Sequence, residues 1–118
     1  CDPDDLQEHH VCLSTVLEWN PKGVLWVDAR PRQDWEKDGV TGSVLVNDQE
    51  AWFDLEEVFM ARFFEQAISR VVVYCNQSGC GSSKYVADRL RDRHGLEVFV
   101  LEGGAKALDP EKVSRKGR

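Results

Sequence analysis

The sequence predicts one α/β domain: a central, mainly parallel five-stranded sheet with helices on both faces, three layers in all. Three observations predict it. The runs Val24-Leu25-Trp26-Val27, Val71-Val72-Val73-Tyr74 and Val98-Phe99-Val100-Leu101 are continuously apolar, the pattern of strands buried on both faces. They alternate with segments of helical periodicity, the order that builds a parallel sheet. The chain has 118 residues, 42% of them hydrophobic, enough for one core of ordinary domain size.

Residues 1–10 read as an acidic lead-in with Asp2, Asp4, Asp5 and Glu8. Val11-Cys12-Leu13 is a candidate short strand, and Ser14 a candidate helix N-cap. Asn20-Pro21-Lys22-Gly23 breaks the chain before the second strand, which ends at Asp28. A polar stretch from Arg30 to Asp38 holds a short helix. Thr41-Gly42-Ser43 turns into a third strand, Val44-Leu45-Val46. Asp54 is the expected start of a long helix carrying Leu55, Val58, Phe59, Phe63 and Ala67 on one face.

The strand Val71–Tyr74 leads into a Gly/Ser-rich loop, after which Ser82 or Ser83 can cap a helix with Val86, Ala87 and Leu90 inward. Gly95 ends that helix. The last strand precedes Gly103-Gly104. The domain proper spans 11–108, and 109–118 reads as a basic, frayed tail. Trp19, Trp26, Trp35, Trp52, Phe53, Phe59, Phe63 and Phe64 are expected mainly in the core, with Trp52-Phe53 as a candidate rim of a binding crevice.

Composition narrows the function classes. Against 21 acidic residues stand 15 basic ones, a net charge of -6, so no nucleic-acid footprint is expected. No apolar run approaches the ~18 residues that cross a bilayer, so no membrane contact is expected. Cys1, Cys12, Cys75 and Cys80 are too few for a fold built on disulfides. With His9, His10 and His94 they offer no zinc-ligand spacing, so no metal is expected, and the reading requires no cofactor. The chain opens on Cys1 rather than Met, the mark of a trimmed or processed start, and a cytoplasmic location is the expectation.

In open parallel sheets ligands sit beyond the C-terminal ends of the strands. The loop Cys75-Asn76-Gln77-Ser78-Gly79-Cys80-Gly81-Ser82-Ser83 occupies such a place. Its glycines and small polar residues let successive N–H groups turn inward as an anion nest, with a helix N-terminus behind. Both features favour a thiolate at Cys75 over the thiol, whose free value is ~8.5. A buried structural cysteine is the plain alternative. Cys80, five residues on, can close a disulfide with Cys75. The plainer expectation is a small residue filling a turn, because a bridge would distort the nest.

Five segments, in order, resemble the rhodanese-like domain family. They are Val24-Leu25-Trp26-Val27-Asp28-Ala29-Arg30, Asp34-Trp35, Val40-Thr41-Gly42-Ser43, the strand into Cys75, and Val98 to Gly104. The resemblance covers roughly Val11 to Leu108. It implies a rhodanese-like fold and sulfurtransfer. Cys75 would take a sulfane sulfur from a donor such as thiosulfate, hold it as a persulfide within the loop 76–82, and pass it to a thiol or protein acceptor.

Asp28 and Arg30 would buttress the crevice, Arg30 pairing with Asp34, an ion pair worth little if solvated. The sequence departs from the family in three places. Residues 76–82 hold no cation, with Lys84 and Lys106 the nearest substitutes. Gly39 stands where the family has histidine, and Leu108 where tryptophan is common. Cysteine phosphatases of this fold need Cys-x5-Arg for bidentate phosphate binding, and that position is Gly81. Two other readings are a non-catalytic interaction module and a Cys75/Cys80 redox switch.

Overall fold

The computed structural model describes residues 1–77 and 80–117. Its elements are β1 (His10–Val11), α1 (Leu13–Val16), a 3-10 turn at Pro21–Gly23, β2 (Val24–Asp28), α2 (Arg32–Asp38) and β3 (Val44–Leu45). Then come α3 (Trp52–Glu65), β4 (Arg70–Tyr74), α4 (Gly81–His94), β5 (Val98–Leu101) and a 3-10 turn at Gly104–Ala107. The five strands form one sheet in the order β1-β5-β4-β2-β3, and every neighbouring pair is parallel. This is the expected α/β architecture.

Strand period two divides the core. Val71 and Val73 of β4 pack with Leu55 and Phe59 of α3 and Val86, Ala87 and Leu90 of α4. Val72 and Tyr74 face the other way, with Val11, Val16, Val40, Leu101, Leu108 and Val113. Val27, Val71, Val72 and Val73 are fully buried, each worth roughly 1.5–3 kcal/mol of transfer free energy. The continuous apolar runs thus reflect cover on both faces.

The chain steps from β2 outward to β3, but from β4 in the opposite direction to β5. The reversal lies between β2 and β4. Crevices open beyond the strand ends at such a point, and Asp28 and Cys75 stand there.

Several local expectations are corrected. Ser14 lies inside α1, whose N-cap is Cys12. Helix α3 starts at Trp52, with Asp54 in its first turn. Its inward face is Trp52, Leu55, Glu56 and Phe59, while Val58 is exposed and Ala67 lies beyond the helix with φ 53°. Val58 follows Leu55 by three residues but points off the stripe that Leu55 and Phe59 define. Helix α4 takes Cys80 as its N-cap, and Ser83 Oγ donates to the Cys80 carbonyl at 3.2 Å. Phe53 and Phe64 are exposed rather than core.

The expected frayed tail is tied to the domain over its described residues. Val113 and Arg115 are buried, Arg115 bridges Val40 in antiparallel sense, and Lys116 N–H donates to the Gly39 carbonyl at 2.8 Å. Backbone pairing with 39–41 holds a segment whose composition alone reads as loose.

Candidate active site

β4 carries Cys75 to its C-terminal end directly after Tyr74, which is fully buried. Beneath the site lies a buried polar network. Tyr74 Oη donates to Asp28 Oδ2 at 2.7 Å and accepts from Val40 N–H at 2.9 Å. Arg30 grips the same carboxylate with its backbone N–H, with Nε and with Nη2, at 2.9 to 3.2 Å.

Arg30 also reaches Asp38 Oδ1 at 2.9 Å, and Asp38 is joined to Arg115. Burial opposes the Arg30 charge, yet its hydrogen bonds to Asp28 and Asp38 raise its pKa above the ordinary value. Burial, then the neighbouring Asp28 charge, push the Tyr74 phenol up, so it stays neutral and donating.

The supporting residues are therefore placed, with two corrections. Asp28 is wholly buried and Arg30 is 4% exposed, so the pair is not solvated. Arg30 meets Asp34 only at its carbonyl, at 3.2 Å; the carboxylate partners are Asp28 and Asp38. One turn of α2 separates Asp34 from Asp38, and the helix axis brings the later residue over Arg30.

The loop is held from the side by the segment after β5. Ala105 N–H donates to the Cys75 carbonyl at 2.7 Å. Gly104 has φ +61°, and a Cβ on it would lie 2.6 Å from both the Cys75 oxygen and the Gln77 nitrogen. Only glycine permits this approach. From the β3 side, Asp48 accepts from Ser82 Oγ at 3.1 Å on each oxygen.

Cys75 and Cys80 are joined as a disulfide, as are Cys1 and Cys12. This corrects the expectation that Cys80 only fills a turn. A bridge spanning the loop is compatible with the pinned Cys75 backbone. Cys75 is 5% exposed, and Cys80 is half-buried. Asn76, Gln77 and Gly81 are exposed and Ser82 is partly so. Ser78 and Gly79, and with them the middle of the expected anion nest, lie outside the described residues.

Of the two substitute cations, Lys84 pairs with Asp88 at 2.6 Å, and Lys106 is exposed. A Cβ at Gly39 would come within 2.7 Å of Trp35 Cδ1 and of its carbonyl oxygen. That is the packing reason no larger side chain stands at this position.

Trp52 and Phe53 lie against α4, Trp52 edge-on to Tyr85 with Arg89 4.3 Å above its ring. Nearby Glu56, buried, accepts from Arg93, His94 and Trp52. A groove of about 740 Å³ lined by Trp19, Trp26 and Val113 opens near the N-terminal end of β2. Neither Cys75 nor Cys80 lines it.

Sequence reasoning passed over Tyr74, Asp38, Asp48 and the contact of Gly104. Tyr74 read as a strand former, and its position one residue before Cys75 was the signal available. The others depend on long-range packing.

A family model described as rhodanese-like domain matches residues 14–109. A search of curated proteins finds no match. Among solved structures, a Bacillus halodurans protein is 17% identical with TM-score 0.68, the match covering 92% of this chain and 77% of that one. The As-Sb reductase of Leishmania major is 18% identical with TM-score 0.67, covering 91% and 92%.

A thiosulfate sulfurtransferase of Pseudomonas aeruginosa is 18% identical with TM-score 0.62 over 93% of this chain, which spans only 19% of that protein. At these identities the structures speak for the fold. The family match covers most of the chain: the chain belongs to the rhodanese-like domain family.

Proposed function

We propose that the chain is a sulfurtransferase in which the Cys75 thiolate accepts a sulfane sulfur. The observation that carries this reading is the position of Cys75 in a rhodanese-like domain. It ends the central strand at the sheet's reversal point, with the N-terminus of α4 behind the loop and Gly104-Ala105 fixing its backbone.

The thiolate attacks the outer sulfur of a donor such as thiosulfate. A new S–S bond forms, the donor's S–S bond breaks, and sulfite leaves with the bonding pair. The α4 dipole stabilises both the thiolate and the persulfide anion. The partners proposed are a small sulfane donor and a thiol acceptor. The Cys1–Cys12 crosslink supports work in an oxidising compartment rather than the expected cytoplasm.

The test is direct. The reduced Cys80→Ser variant, whose loop keeps Cys75 as its one thiol, is mixed with thiosulfate and weighed. A gain of one sulfur atom, absent in Cys75→Ser, is expected. No gain with thiosulfate or a small thiosulfonate would overturn the reading.

A further inference from the structure

We infer that Cys80 is a second catalytic thiol, and that the chain releases the transferred sulfur as sulfide by closing the Cys75–Cys80 disulfide. The inference rests on the sulfurtransferase reading above and deepens it. Its starting observation is that the two loop cysteines are bonded to each other.

The surroundings favour this outcome over a long-lived persulfide. Residues 76–82 contain no Lys or Arg, and Lys84, just after them, is engaged by Asp88, so the loop itself supplies no cation to hold a persulfide anion. Cys80 is the N-cap of the 14-residue helix α4, its side chain makes no capping hydrogen bond, and the first turn holds no acidic residue. Asp48, on Ser82, is the carboxylate that faces this turn. The helix end favours the negative charge that develops on Cys80 as it gives up its proton and attacks. Because the two sulfurs come within bonding reach, Cys80 meets a Cys75 persulfide at a high effective concentration.

The steps balance. Cys75 thiolate and thiosulfate give the Cys75 persulfide and sulfite. Cys80 then loses its proton and attacks Cys75 Sγ. The Cys75–Cys80 bond forms, the bond to the outer sulfur breaks, and that sulfur leaves as HS⁻ carrying the proton. The sulfane sulfur is reduced by two electrons, and the cysteine pair is oxidised by two.

An external dithiol resets the site. It attacks Cys80 Sγ, the more accessible of the pair, expels Cys75 as thiolate, and its second thiol frees Cys80. Cys75 is thus regenerated in its nucleophilic form. The overall activity is dithiol-dependent reduction of a sulfane donor.

The experiment is a single turnover. Protein is reduced, freed of reductant under exclusion of oxygen, and mixed with thiosulfate. Sulfite, sulfide and intact mass are then measured. It is run on the full chain and on Cys1→Ser/Cys12→Ala, so that one dithiol is counted. The expected result is one sulfite and one sulfide per chain, with a Cys75–Cys80 crosslink in peptide maps.

Cys80→Ser should release sulfite, keep the extra sulfur and lose sulfide. Cys75→Ser should release neither. Wild-type protein that releases sulfite yet retains the sulfur without sulfide would overturn this inference and leave the sulfurtransferase reading standing. No sulfite from wild type or Cys80→Ser would overturn both.

Discussion

The hydroxyl of Tyr74 lies 2.7 Å from the carboxylate of Asp28, tying the strand that delivers Cys75 to the strand that delivers Arg30. Both groups are fully buried. The bond crosses the very strand pair where the topology reverses, so it ties the two strands together beneath Cys75.

Tyr74→Phe tests this bond. The substitution keeps the ring but leaves the buried Val40 N–H without its Tyr74 partner, while Asp28 Oδ2 keeps its bonds from Arg30. A buried unsatisfied group costs ~1–3 kcal/mol. For a domain of this size that lowers the melting temperature by roughly 4–8 °C per kcal/mol. Thermal unfolding of the two proteins is the measurement, and an unchanged melting temperature would mean the hydroxyl is not structural.

Arg30→Met tests the ion network. Removing Arg30 leaves Asp28 charged and buried, a loss of about 3–5 kcal/mol. Arg32 makes a similar bidentate contact with Glu50 at 2.9 to 3.2 Å, but in solvent. Arg32→Met should leave the denaturant midpoint almost unmoved. Urea titrations of both variants compare burial directly at closely matched hydrogen-bond geometry.

Gly104→Ala should separate function from fold. The new methyl would meet the Cys75 and Gln77 backbone at 2.6 Å, and its left-handed backbone disfavours alanine. The loop must shift, and a misplacement of about 1 Å can cost ~10²-fold in rate. Sulfur uptake from thiosulfate should fall by about that factor while far-UV circular dichroism stays native. Unaltered uptake would show that the loop does not depend on this contact.

Glu56 predicts a pH dependence. Hydrogen bonds from Arg93, then His94 and Trp52, hold its carboxyl at about 2 against an ordinary 4.5, although burial opposes them. The folded value is the lower one. Its stabilisation is therefore complete above pH 4.5 and is lost as pH falls toward 2. Glu56→Gln should be less stable at neutral pH and should show a shallower loss over that acid window. Melting temperatures from pH 2 to pH 7 report the slope.

Much of the architecture was legible in the chain. Val24–Val27, Val71–Tyr74 and Val98–Leu101 are apolar without interruption, and only strands covered on both faces require that. Cys75 was legible as well, because a cysteine between a strand and a glycine-rich loop has few other homes. The pairing of Arg30 was not. Asp34 and Asp38 lie one helical turn apart in α2, and which carboxylate reaches Arg30 depends on how that helix docks.

The tail misled for a related reason. Lys112, Arg115 and Lys116 read as solvated charge, yet Arg115 lies over Asp38 and Lys116 Nζ sits 3.5 Å above the Trp35 ring.

The chain alone determined its layers, its central strands and its candidate cysteine, because burial periodicity and turn chemistry are local. Tertiary structure decided the partners: Tyr74 with Asp28, Arg30 with Asp38, Gly104 against the loop, Cys75 with Cys80. Each joins residues whose separation in space follows from packing. Four residues of loop between two cysteines allow a turn or a bridge, and only the seating of β4, α4 and the Gly103-Gly104 segment brings the two sulfurs together.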